Sequence, residues 1–172
     1  QPMGASMGFR HCNEYVYLVF IGGNMSQLRL DYLQIDPDSV KPLIDISRNV
    51  AKGTLELTLR DLVEVRVSQI NGCSFCVDTH IAKALKNGEQ QQRLDVLPFL
   101  RELPFYTDRE KAALEWAESV TNAPDTHVPD ETYDSVKGHF SEKEMVDLTM
   151  HIVMMNGWNR VAIAYRHMPK PR

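Results

Sequence analysis

A length of 172 residues is that of one compact domain, which can bury an apolar core without a disulfide or metal staple. The formal net charge of -4 comes from interspersed acids and bases, so the sequence offers no basic stripe and we expect no nucleic-acid partner. Hydrophobic residues make up 43% and charged residues 24%, proportions that exclude a disordered chain and favour a cytoplasmic enzyme or binding module.

The first 24 residues differ from the rest of the chain. The run from Tyr15 to Ile21 is apolar but too short to span a bilayer, so we expect no membrane partner. The residues before it lack the basic start and the small-residue cleavage site of a signal peptide. We therefore interpret residues 1–24 as a leader, a tag or an N-terminal extension, and place the helical domain at residues 25–172.

After Met25, apolar residues recur at intervals of three and four, which predicts one helix after another. The first opens at Asp36, which can cap it ahead of Pro37, and closes at Gly53. The second covers residues 55–70 and stops at an Asn-Gly pair, so a new element begins at about residue 73. Further helical runs follow at 76–86 and 89–97.

Two capping boxes mark later helix starts. Thr107 with Glu110, and Ser141 with Glu144, have the spacing at which each residue bonds the backbone N–H of the other. A shorter helix is predicted over residues 130–139, between them. No run after residue 24 alternates like a half-buried strand, so the predicted fold is all-α in a single domain.

Cys73 and Cys76 form a Cys-x-x-Cys motif, and their neighbours narrow its chemistry. A structural zinc site needs four ligands, whereas only the two cysteines and His80 cluster here. Covalent haem attachment needs a histidine where Val77 stands, and a thioredoxin-type site needs a preceding strand where the pattern predicts a helix. We favour a redox dithiol on a helical scaffold, with no metal or cofactor; two packed structural cysteines are the alternative.

The position of the pair suggests how a thiol would be activated. A helix that begins near Cys73 would place both thiols at its N-terminus, where the dipole and free N–H groups favour a thiolate. His80 is four residues after Cys76 and seven after Cys73, so the three side chains share one helical face and the imidazole can take a proton. This spacing favours Cys76 as the nucleophile and Cys73 as its disulfide partner, although thioredoxin-like sites use the reverse order.

The string Asn71-Gly72-Cys73-x-x-Cys76-x-x-x-His80 in this helical context resembles the alkylhydroperoxidase AhpD / carboxymuconolactone decarboxylase family. The resemblance extends over most of the chain after Leu30 and includes residues 156–160. It implies an AhpD-like all-α fold, a homo-oligomer (dimer, trimer or hexamer) and reduction of a small hydroperoxide. It also implies an external dithiol or thioredoxin-like reductant, and a proton relay from a carboxylate through the histidine to the cysteines.

The relay carboxylate departs from the family pattern. The family's glutamate precedes the first cysteine by twelve residues, where this chain has Asp61. Glu64, one turn later on nearly the same face, could substitute and has the longer reach. The alternative for either is a surface carboxylate paired with Arg60 or Arg66. Phe75 stands where the best-known peroxidase of the family has a second histidine.

The predicted function is that of a thiol-dependent peroxidase that cycles Cys73 and Cys76 between dithiol and disulfide. A protein disulfide oxidoreductase and a non-catalytic helical oligomer with a structural or redox-sensing pair are the alternatives. The family's decarboxylases lack the redox pair, so a lactone decarboxylase fits poorly. His151 lies in an apolar C-terminal helix and is interpreted as a core or subunit contact, and the remaining histidines of the C-terminal half are expected at the surface: His127, His139 and His167.

Overall fold

The computed structural model describes residues 28–171, so the interpretation of residues 1–24 lies outside it, as does Cys12. The described chain contains no strand, and the predicted all-α fold is confirmed. No helix within these residues is long and apolar enough to cross a membrane. The helices are α1 (Tyr32–Ile35), α2 (Pro37–Val50), α3 (Leu57–Ile70), α4 (Ser74–Lys86), α5 (Gln91–Asp95), a 3-10 helix (Leu97–Glu102), α6 (Asp108–Thr121), α7 (Ala123–Thr126), α8 (Asp130–Lys137) and α9 (Glu142–Ala164).

The predicted helix starts are confirmed because their signals are local. Asp36 caps α2 by accepting a hydrogen bond from the backbone N–H of Ser39 at 3.1 Å. Both capping boxes form, Thr107 with Glu110 at the start of α6 and, in the same way, Ser141 and its partner at the start of α9. Such reciprocal bonds satisfy N–H groups that a helix start would otherwise leave unpaired.

Most helix bounds differ from the prediction by two or three residues, and two of the differences have a local cause. α2 ends at Val50, and the chain reaches Gly53 through a turn rather than through more helix. The run predicted over 89–97 is shorter, because α5 stops at Asp95 and a 3-10 helix with Pro98 in its first turn replaces it. Proline lacks the N–H that would continue an α-helix, and a 3-10 turn tolerates it at this position.

α3 is the central helix of the fold. It packs against α4 on one side and against α6 and α9 on others, while α9 also contacts α2 and α6. Apolar side chains of α3 are therefore buried around most of its circumference, including Leu62, Val63 and Val65. The same packing buries two of its carboxylates, Asp61 and Glu64. A polar side chain on α3 consequently has to find its partner on a neighbouring helix.

Candidate redox site

The corner between α3 and α4 is a Schellman turn. Gly72 has φ +67°, a left-handed conformation that glycine adopts without steric cost. The backbone N–H of Cys73 donates to the carbonyl of Ser68 at 3.0 Å, and that of Gly72 donates to Gln69 at 3.1 Å. These two bonds define the motif. The helix end predicted at Asn71 is thus confirmed, and the turn delivers Cys73 to the start of α4.

The side chain of Asn71 fastens this corner to α9. Its Nδ2 donates to Oδ1 of Asn156 at 3.0 Å and to Oδ1 of Asn159 at 2.9 Å. Nδ2 of Asn159 donates to Oγ of Ser68 at 3.2 Å, within α3. Both α9 asparagines belong to the segment that resembles the family, and their contacts hold the end of α3 in place.

Cys73 caps α4, so the cysteine pair begins the helix. Sγ of Cys73 accepts a hydrogen bond from the backbone N–H of Cys76 at 3.3 Å, in the position that a cap side chain occupies. The two cysteines form a disulfide, with their Cα atoms 5.3 Å apart. Both are buried, with 2% and 1% of their surface exposed.

His80 lies one turn after Cys76 and faces α3. Its Nδ1 is 2.7 Å from Oε2 of Glu64. An ionised carboxylate only accepts hydrogen bonds, so this contact favours the tautomer with the hydrogen on Nδ1. By strict hydrogen-bond geometry neither ring nitrogen has a partner within residues 28–171; Nδ1 has its ion-pair contact with Glu64, and Nε2 has none. A disulfide has no proton to offer it, whereas the thiol of reduced Cys76 would share the same helical face.

Glu64 is the centre of the polar cluster. Beside His80, its Oε2 accepts a hydrogen bond from Nζ of Lys83 at 2.6 Å, and its Oε1 lies 2.9 Å from Nε2 of His151. Burial opposes ionisation of this carboxyl, but the charges of His80 and Lys83 and the hydrogen bond from His151 outweigh it. They hold the pKa of Glu64 well below its usual range. Burial would lower the pKa of Lys83, and the charges of Glu64 and Asp61 raise it instead.

Asp61 occupies a different place in the cluster. It is completely buried, with Oδ1 3.1 Å from Nζ of Lys83 and Oδ2 accepting a hydrogen bond from Nδ2 of Asn87 at 2.7 Å. Among the described hydrogen bonds and ion pairs, none joins Asp61 to His80. The structure therefore brings Glu64 to the histidine directly, and Asp61 only through Lys83.

The alternative interpretation, in which Arg60 or Arg66 pairs with these carboxylates at the surface, is wrong. Arg60 donates to the backbone carbonyl of Ala51 at 2.6 Å, and Arg66 forms an ion pair with Glu118 of α6 at 2.8 Å. The reason is the central position of α3, which turns its arginines towards other helices. The carboxylates find their cation on α4 instead.

Sequence reasoning missed two members of the cluster, Lys83 and His151. Lys83 lies one turn after His80, and this spacing could have indicated a cation on the same helical face. His151 is 3% exposed, as its interpretation as a core side chain requires, but it also bonds a carboxylate 87 residues away. Only the docking of α9 on α3 reveals that contact.

The other histidines divide between surface and interior. His127 and His139 are exposed, as predicted. His167 is 5% exposed, so its predicted surface position is wrong. Its ring packs 4.9 Å from that of Phe75 and 5.5 Å from that of Tyr32, centroid to centroid, because the chain after α9 folds back over the start of α4.

A groove of about 560 Å³ runs along the outer face of α4, beside the cysteine pair. Most of its lining comes from residues next to the cysteines or on the following turn of α4: Gly72, Ser74, Val77, Asp78, Ile81 and Gln91. In the part of the chain that the structure describes, no group of three or more histidine, cysteine or acidic side chains is arranged to hold a metal ion.

An all-helical fold with a Cys-x-x-Cys motif at a helix start defines this protein as AhpD-like. The model of the carboxymuconolactone decarboxylase family matches residues 37–119, and the chain belongs to that family. The uncharacterised protein YdfG of Bacillus subtilis strain 168 is 43% identical over 140 residues, which are 81% of this chain and 95% of YdfG.

Solved structures agree on the fold. A protein of unknown function from Agrobacterium tumefaciens, suggested to be the antioxidant defence protein AhpD, is 33% identical with a TM-score of 0.81, covering 84% of this chain and 99% of its own. The debrominase Bmp8 is 17% identical with a TM-score of 0.69, covering 80% of this chain and 74% of its own. The similarity to Bmp8 concerns the fold alone, because proteins that share a fold can catalyse different reactions.

Proposed function

We propose that the protein is a thiol-dependent peroxidase that reduces small hydroperoxides through a Cys73–Cys76 dithiol–disulfide cycle. The observation that carries the proposal is the contact between Glu64 and Nδ1 of His80, which leaves Nε2 as a base on the helical face of Cys76. A nucleophile, a base and a group that orients the base are the parts that activate a weak nucleophile.

In the first step, Nε2 of His80 takes the thiol proton of Cys76, and Glu64 stabilises the imidazolium. The thiolate attacks one oxygen of the hydroperoxide and breaks the O–O bond. Cys76 becomes a sulfenic acid, and the leaving alkoxide takes the proton from His80 and departs as an alcohol. Sulfur is oxidised by two electrons and the peroxide is reduced by two.

In the second step, the thiol of Cys73 attacks the sulfenic sulfur, water leaves and the disulfide forms. An external dithiol or a thioredoxin-like reductant then restores both thiols by two exchange reactions and is itself oxidised to a disulfide. Cys73 and Cys76 are already within bonding distance at the start of α4, which supports this resolution step.

The homo-oligomer implied by the family resemblance belongs to the same proposal. Light scattering on the eluting peak of a gel-filtration column should give a mass that is a multiple of 19.7 kDa. A measured mass equal to that of one chain would contradict the proposed oligomer but would leave the peroxidase proposal unaffected.

Peroxide consumption with dithiothreitol as reductant tests the function. We expect turnover of cumene hydroperoxide by the wild type and none by Cys76→Ser. After removal of the dithiothreitol, reduced Cys73→Ser should consume one equivalent of peroxide and then stop, with a sulfenic acid on Cys76 that a dimedone probe traps. Cys12→Ser is the matched control, because it removes a cysteine outside the pair and should leave turnover unchanged. Full turnover by Cys76→Ser would refute the assignment.

The burial of both cysteines favours a second candidate, a structural or redox-sensing clasp. A clasp predicts slow alkylation of both reduced cysteines by iodoacetamide in the native protein, and no peroxide consumption. A protein disulfide oxidoreductase, the other alternative, predicts fast dithiol exchange with a disulfide substrate and negligible peroxide turnover. The three candidates therefore give different results when peroxide consumption, alkylation and dithiol exchange are measured together.

A further inference from the structure

Glu64 has a second histidine on its other oxygen. Nε2 of His151, on α9, lies 2.9 Å from Oε1, while Oε2 faces His80 and Lys83. His151 is 3% exposed, and its Nδ1 has no hydrogen-bond partner within residues 28–171. The carboxylate accepts, so Nε2 of His151 carries the hydrogen and donates it. This contact ties the candidate site to the longest helix of the fold.

We propose that His151 is a positioning residue that holds Glu64 in the orientation in which Oε2 faces His80. The inference deepens the proposed function and relies on it for its consequence in peroxide reduction. The geometry itself does not depend on which reaction the thiols perform. His151 would act through Glu64 and touch neither the substrate nor the cysteines.

The reason lies in the number of donors around a buried carboxylate. Each of the two oxygens of Glu64 has its own donors, and a buried oxygen without a donor is costly. If His151 donated nothing, Oε1 would have to take a donor from Oε2, and the donors there are His80 and Lys83. The carboxylate would turn, and the contact that fixes the tautomer of His80 would weaken.

The charged groups around His151 agree with this role. The carboxylates of Glu64 and Asp61 on α3 carry two negative charges, and the ammonium of Lys83 on α4 offsets one of them. No described ion pair links His151 to a charged side chain of α2 or α6, which also pack on α9. The N–H of His151 thus completes the donors around Glu64 from a third helix, α9.

Alkylation of Cys76 in a Cys73→Ser background tests the inference without peroxide. Serine keeps the cap of α4, because its Oγ can accept the backbone N–H that Sγ of Cys73 accepts. In this background we expect His151→Phe to lower the rate of reaction with iodoacetamide at pH 7 about tenfold, the lower end of what outer-shell partners of histidine contribute in metal sites. His151→Gln retains an N–H that reaches Oε1 and should restore most of the rate.

A double-mutant cycle separates positioning from packing. If His151 acts through Glu64, the tenfold effect of His151→Phe should disappear in a Glu64→Gln background, to a rate ratio of about 1. The two substitutions would then interrupt the same contact, and their effects would not add. Ile152→Val is the matched control: it removes one methyl group from a completely buried neighbour on α9 and should leave the alkylation rate unchanged. His151→Leu replaces His151→Phe if the phenylalanine variant does not fold.

An unchanged rate in a folded His151→Phe variant would overturn the inference. The same loss in both backgrounds, or no recovery with His151→Gln, would also overturn it and indicate a packing role. If the cysteines of the reduced wild type are alkylated rapidly but the protein consumes no peroxide, the proposed function fails while the test of positioning remains valid. The two failures are therefore distinguishable.

Discussion

At the scale of single residues, the main feature is one buried carboxylate that contacts three side chains. Glu64 is 4% exposed, yet it is held in its charged form by His80, Lys83 and His151. Lys83 also contacts Asp61, so a single ammonium lies between two buried carboxylates. A buried charge is tolerated only when its partners are in place, because desolvation alone is strongly unfavourable.

We therefore predict that Lys83→Met lowers the free energy of unfolding at pH 7 by about 3 kcal/mol, the lower end for breaking a buried ion pair, because Lys83 is partly exposed. The loss should shrink as the pH falls towards 4. Without the ammonium of Lys83, burial is opposed less strongly and the pKa of Glu64 rises from its lowered value, so protonation at lower pH removes unpaired charge. Urea unfolding at pH 7 and pH 4 measures both effects.

The exposed Lys52→Met serves as a control for the loss of one positive charge. It should change stability by less than about 0.5 kcal/mol, as surface substitutions usually do. A Lys83→Met protein as stable as the wild type at pH 7 would mean that Asp61 and Glu64 find other compensation in the fold.

At the scale of elements, the corner between α3 and α4 decides where the cysteines stand. Gly72 supplies the left-handed residue of the Schellman turn, and Asn71 fastens that turn to α9. Cys73 can cap α4 only because the chain reverses at this residue. The cap and the disulfide are therefore consequences of the same turn.

We predict that Gly72→Ala lowers the free energy of unfolding by about 1 kcal/mol, because a residue with a Cβ is strained in the left-handed region. A Cβ at this position would meet no atom within 4 Å, so the loss reports the backbone conformation and not a clash. Gly72→Asn is the matched variant, and it should lose less because asparagine tolerates this conformation. Urea unfolding of the three proteins gives the comparison; equal losses for alanine and asparagine would contradict it.

At the scale of the whole molecule, what the sequence could predict follows the range of each interaction. The capping boxes at Thr107 and Ser141 and the stop at Gly72 depend on residues a few positions apart, and all three were predictable. The choice between Asp61 and Glu64 was not, because both lie on nearly the same face of α3. Only the way α4 packs on that face places one of them beside the histidine.

The role of α9 lies beyond local patterns for the same reason. An apolar helix with one histidine predicts a buried side chain but does not identify its partner. The partner of His151 comes from α3, and Asn159 of the same helix bonds Asn71 at the corner. Helix α9 thus contacts the candidate site at the relay carboxylate and at the turn before the cysteines, which the amino-acid order alone does not indicate.

The charged state of Glu64 should also be visible in the acid stability of the whole protein. Its pKa in the folded protein is well below the ordinary value of 4.5, so its contribution to stability is complete above that pH. As the pH falls below 4.5, the unfolded chain binds a proton that the folded protein does not, and stability decreases until the folded pKa is passed. Several carboxylates near the surface have lowered pKa values too and add to the slope: Asp36, Asp45, Glu56, Glu144 and Asp147.

The variant Glu64→Gln isolates the contribution of the buried carboxylate, because it removes this one titrating group and leaves the surface carboxylates in place. We predict that the stability difference between wild type and Glu64→Gln narrows between pH 4.5 and pH 3 by at most about 1.4 kcal/mol per pH unit, the limit for one proton. Urea unfolding at half-unit steps, followed by the fluorescence of the buried Trp116 and Trp158, measures it. A difference that stays constant from pH 7 to pH 3 would contradict a depressed pKa at Glu64.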